Sequence, residues 1–209
     1  MRISIIGAGN VGGALARAWV TAGHRIYVGT RDANQTNIKA LTQHEGITAH
    51  SYVEAVSKSD VVLFSTPSST IPSLVSTLGS LQGKILVDAT NAVREKPTPY
   101  KSSYDALKAL SGSSDVVKCF NSTGFENLAN PISTTKYGNI PLDMFMAGES
   151  RQAKEVARTL ASDAGFETCY DFGGDDKVEL LEYFALVWIN LAIIQKEGRN
   201  IGFKVLKRI

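Results

Sequence analysis

Six residues near the amino end of the chain have the types and spacing of a phosphate-binding turn. They read Gly7-Ala8-Gly9-Asn10-Val11-Gly12 and follow directly on a short apolar run, Arg2 to Ile6. The first glycine of such a turn permits a tight bend, the second lets the backbone approach a pyrophosphate, and the third lets the next helix pack closely on the strand. Free N–H groups at the start of that helix attract an anion. The six residues are therefore predicted to bind a dinucleotide.

The residues after this turn supply the helix and second strand that a dinucleotide-binding unit needs. Ala14 to Ala22 have helical spacing, and Arg25 to Val28 form a second apolar run that ends at Gly29-Thr30-Arg31. A site specific for NAD places an Asp or Glu here for the ribose diol. A hydroxyl followed by a guanidinium suits a 2′-phosphate instead, because the forked donors of arginine match phosphate oxygens. We therefore expect Thr30 and Arg31 to select NADP(H).

The next residue, Asp32, has two interpretations. A shift of register would let its carboxylate reach the ribose. Asp32 and Gln35 also have the spacing of a capping box ahead of the next predicted helix. We favour the second interpretation, in which Asp32 begins a helix and does not bind the cofactor.

Three segments of small, hydroxyl and amide residues follow apolar runs that we predict to be neighbouring strands. In an open α/β sheet the ligand lies beyond the carboxyl ends of the strands, so these segments are expected to surround the nicotinamide and hold it by neutral hydrogen bonds. The segments are Ser65-Thr66-Pro67-Ser68, Ala89-Thr90-Asn91 and Asn121-Ser122-Thr123-Gly124-Phe125. The predicted cofactor-binding residues in them are Ser65, Thr66, Pro67, Ala89, Asn91 and Asn121, of which Thr66, Pro67 and Asn121 would position the nicotinamide.

A general base is missing from the predicted ends of the fourth and sixth strands, where a dehydrogenase acting on a hydroxyl group would need one. The histidines, His24, His44 and His50, fall within the first fifty residues and are expected at the surface. Lys118 is expected to point away from substrate, and Asp88 to be structural. Hydride transfer between two cofactors needs no protein base, because positioning the two rings supplies much of the acceleration. We therefore predict no catalytic acid or base, and favour a redox cofactor as hydride acceptor over an alcohol or ketone.

Helical and strand patterns alternate along most of the chain, which predicts a Rossmann-type, doubly wound α/β fold with a mostly parallel sheet. About eight strands are expected, at residues 2–6, 25–28, 48–50, 60–65, 84–88, 115–120, 143–147 and 166–170. Residues 1–209 are predicted to form one NADP-binding domain, in which 175–209 are a C-terminal helix and tail. That helix is expected over about 178–196, with Asp176 and Glu179 at capping-box spacing.

The C-terminal helix is almost wholly apolar, and a helix of this kind cannot stay exposed. Three fates remain open: burial in its own domain, a homodimer interface, or the wall of an acceptor pocket. Only this helix and a tail follow the eighth strand, so there is no room for the large helical substrate domain that many NAD(P) enzymes append. The acceptor pocket is therefore expected between the carboxyl edge of the sheet and this helix. Its apolar side chains include Phe184, Val187, Trp188, Leu191 and Ile194.

Composition narrows the possible partners. The chain is 44% hydrophobic and 20% charged, which is ordinary for a globular protein, and its net charge of +2 is too small to indicate a nucleic-acid or membrane partner. Cys119 and Cys169 lie in apolar runs and are expected to be buried thiols, and no Cys/His spacing indicates a metal site. No signal peptide is recognisable, and the apolar stretch Leu180 to Ile194 is too short to span a bilayer. A cytoplasmic protein is expected.

Together these segments resemble the deazaflavin-dependent NADP oxidoreductases, also called coenzyme F420:NADP oxidoreductases, and are similar to the cytosolic NADPH domain of the STEAP metalloreductases. The resemblance covers nearly the whole chain. It rests on Gly7 to Gly12, Val28 to Arg31, Thr66-Pro67, the compact sixth to eighth strands and the closing helix with Asn190. It implies that the glycine turn holds the pyrophosphate and that Thr30 and Arg31 hold the 2′-phosphate. It also implies that a deazaflavin stacks between Thr66-Pro67 and the loop after the sixth strand, where it exchanges a hydride with the nicotinamide.

The chain departs from the archaeal members of that family in three places, as a bacterial-type member would. Its glycine turn has Ala8 and Val11 where they have Thr and Leu, and Gln35 or its neighbours stand where they have an additional basic residue. In the loop after the sixth strand, Phe120 to Gly124 replaces a His-Thr-Ile-Pro-like stretch. Because this loop is the expected acceptor site, deazaflavin, FMN and FAD all stay candidates.

The sequence thus predicts an NADPH-dependent oxidoreductase that transfers a hydride between NADP(H) and a flavin-like cofactor. A reductase of a small carbonyl or imine substrate is the first alternative. A non-catalytic NADPH-binding sensor is the second.

Overall fold

An eight-stranded sheet organises the chain in the computed structural model, which describes residues 1–92, 95–136 and 138–208. In chain order the strands are β1 Arg2–Ile6, β2 Arg25–Gly29, β3 Ile47–His50, β4 Val61–Phe64, β5 Ile85–Asp88, β6 Val116–Cys119, β7 Ile132–Thr135, β8 Gly138–Pro141, β9 Met144–Ala147 and β10 Cys169–Asp171. Across the sheet the order is β10-β9-β6-β5-β4-β1-β2-β3, while β7 and β8 pair only with each other. All neighbours in the large sheet are parallel except β6 and β9. The predicted doubly wound, mostly parallel fold is confirmed.

Helices cover both faces of this sheet. They are α1 Asn10–Thr21, α2 Thr36–Leu41, α3 Tyr52–Ser57, α4 Ile71–Val75, α5 Ser103–Leu110, α6 Phe125–Ala129, α7 Arg151–Asp163 and α8 Val178–Ile189. A π-helical turn, Asn190–Ile194, continues α8. The predicted C-terminal helix is therefore present, with its α-helical part ending earlier than the sequence pattern indicates.

The alternation of side chains along each strand divides the core into two layers. In β1, Ile3 and Ile5 point to the layer that α1 and α7 cover, whereas Ile6 points to the opposite layer. Trp19 of α1 is fully buried in the first layer and donates its indole N–H to the carbonyl oxygen of Leu160 in α7, at 2.9 Å. All four residues of β4, β5, β6 and β9 are buried, as expected for strands covered on both faces.

The reversed direction of β9 decides which segments lie at the carboxyl edge of the parallel strands. Cys119 of β6 pairs with Met146 of β9 in antiparallel register. Residues 120–143 therefore begin and end at the same edge, and they carry α6 and the β7–β8 hairpin there. β10 runs parallel to β9 and ends at the edge opposite the carboxyl ends of the parallel strands, which we call the far edge. α8 therefore brings the chain back toward the carboxyl edge.

The tail after the π-helical turn, residues 195–208, is fixed to the beginning of β9. The backbone N–H of Asp143 donates to the carbonyl oxygen of Phe203 at 3.0 Å, and the Asp143 carboxylate accepts the N–H of Val205 at 2.8 Å. The Phe203 ring packs on Phe184 of α8, with ring centroids 4.5 Å apart. The tail is thus bound to both the sheet and α8.

Asp175 stands just before α8 and connects it to the far edge of the sheet. Its carboxylate accepts hydrogen bonds from the Tyr104 hydroxyl at 2.6 Å and from the backbone N–H of Glu149 at 2.9 Å, and it pairs with Lys108. Partial burial acts to raise the pKa of Asp175, but the bonds from Lys108 and Tyr104 outweigh it and hold that pKa below its ordinary value.

Both predicted capping boxes are wrong. α2 begins at Thr36 after Gln35, and the Asp32 carboxylate accepts the N–H of Asn34 at 2.8 Å in a turn before the helix. Asp176 lies in a short 3-10 turn, pairs with Lys177, and caps nothing, because no side chain caps α8. In each case a local turn uses the carboxylate before the helix begins.

His24 is another correction, because it is buried where the sequence predicted a surface position. Its Nε2 lies 2.9 Å from an Asp163 carboxylate oxygen. The β7–β8 hairpin was not predicted, since its exposed residues have no apolar alternation. The expectation for the thiols is confirmed: Cys119 and Cys169 are buried and free, with their sulfurs 3.9 Å apart. Within the described residues, no helix has the length and apolar character needed to cross a membrane.

Candidate active site

The glycine turn joins β1 to α1, and each of its three glycines has different surroundings. Gly7 has a φ of +103°, a conformation that favours glycine. A Cβ on Gly12 would overlap the carbonyl oxygen of Gly7 and lie 2.6 Å from the Ser65 hydroxyl oxygen. A Cβ on Gly9 would meet no atom within 4 Å, so Gly9 faces open space. No side chain caps α1, and its first N–H groups are therefore free to bind an anion beside Gly9.

The loop after β4 packs against this turn. The Ser65 hydroxyl donates to the carbonyl oxygen of Gly7 at 2.7 Å, and the Thr66 hydroxyl accepts a hydrogen bond from Thr70 at 3.1 Å. Pro67 follows and faces a cavity. Ser65 and Thr66 therefore shape the turn, while Pro67 is the member of this predicted trio that lines the open space.

The end of β2 lies on the other side of the glycine turn. The Thr30 hydroxyl accepts the N–H of Asp32 at 3.1 Å and lies 3.0 Å from the Asp32 carbonyl oxygen. Arg31 is exposed, and its side chain makes no ion pair or hydrogen bond with any residue in the described part of the chain. Asn37 of α2 donates to the carbonyl oxygen of Ala8 at 2.8 Å, which fixes α2 against the turn. Among the described residues the Arg31 guanidinium is therefore free at the end of β2, next to the glycine turn. We call the surface that runs from Arg31 along the glycine turn the cofactor groove.

A cavity of about 820 Å³ lies between the strand ends and α8, next to the glycine turn. It brings together predicted residues from three loops with residues from the C-terminal part of the chain. Its walls are formed by Asn10, Val11, Pro67, Ser68, Asn91, Glu95, Asn121, Thr123, Gly124, Phe125, Trp188, Ile189, Ile193 and Arg199. We refer to it as the α8 cavity.

Two asparagines join the ends of β5 and β6 at this cavity. The Asn91 amide donates to the carbonyl oxygen of Asn121 at 3.2 Å, and the Asn121 amide donates to Asn91 Oδ1 at 3.2 Å. We call them the asparagine pair. Asn121 Oδ1 is buried without a hydrogen-bond donor, and an unpaired buried acceptor is costly. Asn121 Oδ1 is therefore an acceptor at the cavity wall whose hydrogen-bonding capacity the protein leaves unused.

The C-terminal helix forms the opposite wall. Trp188 is 4% exposed and donates its indole N–H to the carbonyl oxygen of Ile201 in the tail at 2.7 Å. A Cβ on Gly124 would lie 2.6 Å from this indole ring, so glycine lets the loop after β6 approach it. Arg199 of the tail pairs with Glu126 and lies 5.4 Å from the Trp188 ring centroid. Two of the three fates considered for this helix therefore apply to Trp188. The residue is buried in its own chain, and it forms part of the cavity wall.

Two charged residues, Glu95 and Arg199, line the α8 cavity. Glu95 accepts the Ser69 hydroxyl at 2.6 Å, and Arg199 pairs with Glu126. Lys118 is fully buried and forms ion pairs with Asp88 and Glu182. Burial lowers the pKa of Lys118, but these two carboxylates outweigh burial and hold it above its ordinary value. The exposed Glu95 carboxylate has a neutral hydroxyl as its hydrogen-bond partner and no cation beside it among the described residues, so it is an acidic group that the sequence analysis did not anticipate at this cavity.

Some predicted residues do not line the cavity. Ala89 is buried in the core, and the Ser122 hydroxyl points to the sulfur of Met144 at 3.5 Å. Sequence reasoning missed Arg199 and Glu126. No local signal could have found them, because a tail without periodicity must first fold back onto α6 to bring the two together.

Comparison with known proteins adds an independent observation. Residues 2–92 match the family model described as NADP oxidoreductase, coenzyme F420-dependent. This part of the chain, with the glycine turn and β1 to β5, is similar to that family. The F420-dependent NADP reductase of Methanothermobacter marburgensis is 23% identical to the chain, over 98% of each protein. The rat metalloreductase STEAP3 is 28% identical over 82% of this chain and 34% of its own length. The resemblance drawn from the sequence is confirmed.

Solved structures of members and neighbours of the family share the fold. A protein from Arthrobacter sp. FB24, whose proposed activity is that of an F420-dependent NADP reductase, superposes with a TM-score of 0.83 at 22% identity, over 99% of this chain and 100% of that one. A reductive aminase from Aspergillus terreus superposes with a TM-score of 0.65 at 18% identity, over 93% of this chain and 62% of that one. At these identities the likeness supports the Rossmann fold alone.

Proposed function

We propose that this chain is an NADPH-dependent oxidoreductase that transfers a hydride between NADP(H) and a flavin-like cofactor, either a deazaflavin or FMN/FAD. The observation that carries the proposal is the α8 cavity itself. It opens directly beside the glycine turn, is wide enough for a second ring system, and is lined mostly by neutral groups, with the charged Glu95 and Arg199 among them. The name of the Methanothermobacter marburgensis relative, F420-dependent NADP reductase, points to NADP(H) and a deazaflavin.

NADP(H) fits the groove from its adenosine end inward. The free Arg31 guanidinium would bind the 2′-phosphate, and the Thr30 hydroxyl stands beside it. The Asp32 carboxylate accepts the N–H of Asn34 in its own turn, which supports a local structural role for this residue. The open side of Gly9 and the uncapped start of α1 would hold the pyrophosphate. We therefore assign Gly7, Ala8, Gly9, Asn10, Val11 and Gly12 to the pyrophosphate.

The nicotinamide end would lie at the asparagine pair. Asn121 Oδ1 would accept the carboxamide N–H, and Pro67 would restrict the ring from the other side of the cavity. Ser65 and Thr66 act indirectly, since their hydroxyls hold the glycine turn and its neighbouring loop in place. Ala89 contributes its backbone position beneath the ring.

The acceptor would occupy the space between the asparagine pair and α8. Trp188, Ile189 and Ile193 offer it a flat, apolar wall. A flavin-like ring takes a hydride directly from the reduced nicotinamide, and the protein contributes by holding the two ring faces close together. The mostly neutral lining suits this reaction. Reduction of a small carbonyl or imine needs a proton donor, and Glu95 is the acidic residue of the lining from which that alternative would have to draw a proton.

A homodimer through α8 and a cytoplasmic location complete the proposal. Apolar residues at helical spacing on the outer face of α8 are largely exposed: Leu180 by 51%, Tyr183 by 57% and Val187 by 47%. A second copy of the chain would cover this stripe. Sedimentation of the wild type should give a dimer, and Leu180→Asp a monomer; a monomeric wild type would refute this part.

The first experiment follows absorbance at 340 nm while the purified protein and NADPH meet a deazaflavin, FMN or FAD in parallel, with NADH as the cofactor control. We expect rapid oxidation of NADPH with one acceptor and slow oxidation of NADH. Failure with all three acceptors, in a protein that binds NADPH, would overturn the proposal. Reduction of a small carbonyl or imine would then identify the first alternative, and binding without any turnover the sensor.

A matched pair of variants tests the location of the acceptor. Ile193→Trp would fill the α8 cavity, while Val53→Trp adds the same ring to a comparably exposed position on α3; the two native side chains are 47% and 52% exposed. We expect Ile193→Trp to raise the acceptor KM at least tenfold with NADPH affinity unchanged, and Val53→Trp to do neither. Equal effects of the two variants would place the acceptor elsewhere.

A further inference from the structure

Lys118 is a fully buried lysine whose ammonium group connects three segments of the chain. Its Nζ donates to Asp88 Oδ2 at the end of β5 at 3.0 Å and to the carbonyl oxygen of Thr90 at 2.6 Å. It also forms an ion pair with Glu182 Oε1 of α8 at 2.6 Å, an oxygen that is buried and accepts no hydrogen bond. The ammonium group thus makes two hydrogen bonds toward the end of β5 and one ion pair with α8.

The first two of these contacts fix the loop that carries Asn91. Asp88 Oδ1 accepts the N–H of Thr90 at 2.9 Å, while its other carboxylate oxygen and the Thr90 carbonyl oxygen both bind Lys118. The loop is therefore held from two sides just before Asn91. Asn91 in turn forms hydrogen bonds with Asn121, and these fix the position of the asparagine pair relative to the ends of β5 and β6.

The third contact fixes α8. Glu182 lies six and seven residues before Trp188 and Ile189, which form the helix wall of the α8 cavity. Its side chain is 15% exposed, so the Lys118–Glu182 ion pair is largely shielded from water and from screening by salt. One buried ammonium thus holds both walls of the cavity.

The cost of this arrangement suggests a role beyond stability. Removing charges from water is expensive, and well-packed apolar residues of similar volume often stabilise a core as well as a buried ion pair does or better. Hydrogen bonds to the end of β5 and a short ion pair to α8 from one ammonium group achieve what apolar packing does not: they set a distance between two surfaces. This matters for hydride transfer, where a misplacement of about 1 Å costs on the order of 100-fold in rate.

We propose that Lys118 is a positioning residue whose contacts with Asp88, Thr90 and Glu182 set the separation between the asparagine pair and the α8 wall of the cavity. It touches neither ring. It acts through Asn91 on the nicotinamide side and through Glu182 on the acceptor side. The expected effect of Lys118 on turnover rests on the proposed function. Its expected effect on binding of the nicotinamide rests only on the chain binding the dinucleotide.

The test compares the whole cofactor with its adenosine half. The neutral triple variant Lys118→Met/Asp88→Asn/Glu182→Gln removes the ion pairs without leaving a buried charge, and Asn at 88 still accepts the Thr90 N–H. We expect its affinity for 2′,5′-ADP to stay within twofold of wild type and its affinity for NADPH to fall at least fivefold. With whichever acceptor supports turnover, kcat should fall at least tenfold. Unchanged NADPH affinity and kcat, or equal losses for 2′,5′-ADP and NADPH, would overturn the inference.

Lys84→Met is the control, because Lys84 also donates to a backbone carbonyl oxygen, that of Ser59 at 2.6 Å, but at the amino edge of β5. It should leave the ratio of the two affinities unchanged. If the triple variant does not fold, Glu182→Leu removes only the α8 contact and leaves the Lys118–Asp88 pair balanced. It should then lower kcat at least fivefold, and Glu182→Gln, which keeps an oxygen for Lys118, should restore most of it.

Failure of the inference and of the proposed function give different results. If the wild type fails to oxidise NADPH with every acceptor tested, the proposed function is refuted. The ratio of NADPH to 2′,5′-ADP affinity then still decides the role of Lys118. A wild type that turns over rapidly, with an equally rapid and folded triple variant, refutes only the inference.

Discussion

Alanine substitutions at two glycines of the same turn should have opposite consequences. Gly9 has an extended backbone, with φ of −76°, and a Cβ there meets open space. Gly12 faces the carbonyl oxygen of Gly7, which its Cβ would overlap. Gly9→Ala should therefore leave the fold intact and obstruct the cofactor, whereas Gly12→Ala should damage the fold itself.

The magnitudes follow from these surroundings. For Gly9→Ala, a residue that accepts the native φ without contact should change the free energy of unfolding by no more than about 1 kcal/mol, in the stabilising direction. The new methyl group would displace the pyrophosphate from the α1 N–H groups. Loss of one hydrogen bond to a charged group costs about 1.5–3 kcal/mol, or on the order of 10- to 160-fold in NADPH affinity. For Gly12→Ala, the overlap involves backbone that must shift, which costs about 3 kcal/mol of stability.

Two measurements separate the variants: urea unfolding followed by circular dichroism, and NADPH binding followed by nicotinamide fluorescence. Gly9→Ala should unfold at or above the wild-type midpoint and bind NADPH at least tenfold more weakly. Gly12→Ala should unfold at a clearly lower urea concentration. Retained NADPH affinity in Gly9→Ala would refute the assignment of the open space to the pyrophosphate, and a wild-type midpoint for Gly12→Ala would refute the packing argument.

Three further predictions concern other parts of the molecule. Arg31→Ala should weaken NADPH binding by about 1–3 kcal/mol and leave NADH binding unchanged, whereas Arg25→Ala, at the opposite end of β2, should change neither; equal weakening of both cofactors would refute the 2′-phosphate assignment. Asp175→Asn should destabilise the protein at pH 7 by up to about 1 kcal/mol. Because the folded pKa of Asp175 is lowered, its contribution is present above the ordinary value of 3.8 and is lost as pH falls through the folded pKa, so the wild-type and variant melting temperatures should converge in acid; a constant difference would contradict this. Trp188→Phe should release the tail from its 2.7 Å bond and expose Arg199 and Lys204 to trypsin, while Trp19→Phe, which loses a similar bond to Leu160, should lower stability without tail cleavage; equal cleavage would show that the tail is held by other contacts.

The dinucleotide half of the fold could be predicted because its determinants are local. β1, the glycine turn and α1 are contiguous, and the roles of Gly7 and Gly12 depend on atoms only a few residues away or on the adjacent β4 loop. The rule that ligands lie beyond the carboxyl ends of strands was enough to bring Asn91 and Asn121 together. Their mutual hydrogen bonds could not be read from the sequence, since they depend on the sharp turn at Phe120, whose φ is +66°.

The acceptor half was less predictable because its determinants are distant in sequence. Arg199 reaches the cavity only after the tail folds back and binds Asp143, more than fifty residues earlier in the chain. The ion pair between Lys118 and Glu182 likewise forms only if α8 packs at one particular position on the sheet. Lys118 is fully buried in β6, but no pattern in the sequence indicates which carboxylates meet it.

The antiparallel pairing of β9 with β6 has a consequence for how this fold could change its chemistry over time. A parallel β9 would require the chain to cross to the far edge between residues 120 and 143, and the length of that connection would be constrained by the width of the sheet. Here the chain leaves and re-enters the sheet at one edge, so α6 and the β7–β8 hairpin form an excursion whose length the sheet does not dictate. Its first part lines the α8 cavity through Thr123, Gly124 and Phe125, so changes of length there would reshape the cavity while leaving strand register untouched. Under the proposed function, grafting this excursion between relatives would be a direct way to exchange one hydride acceptor for another.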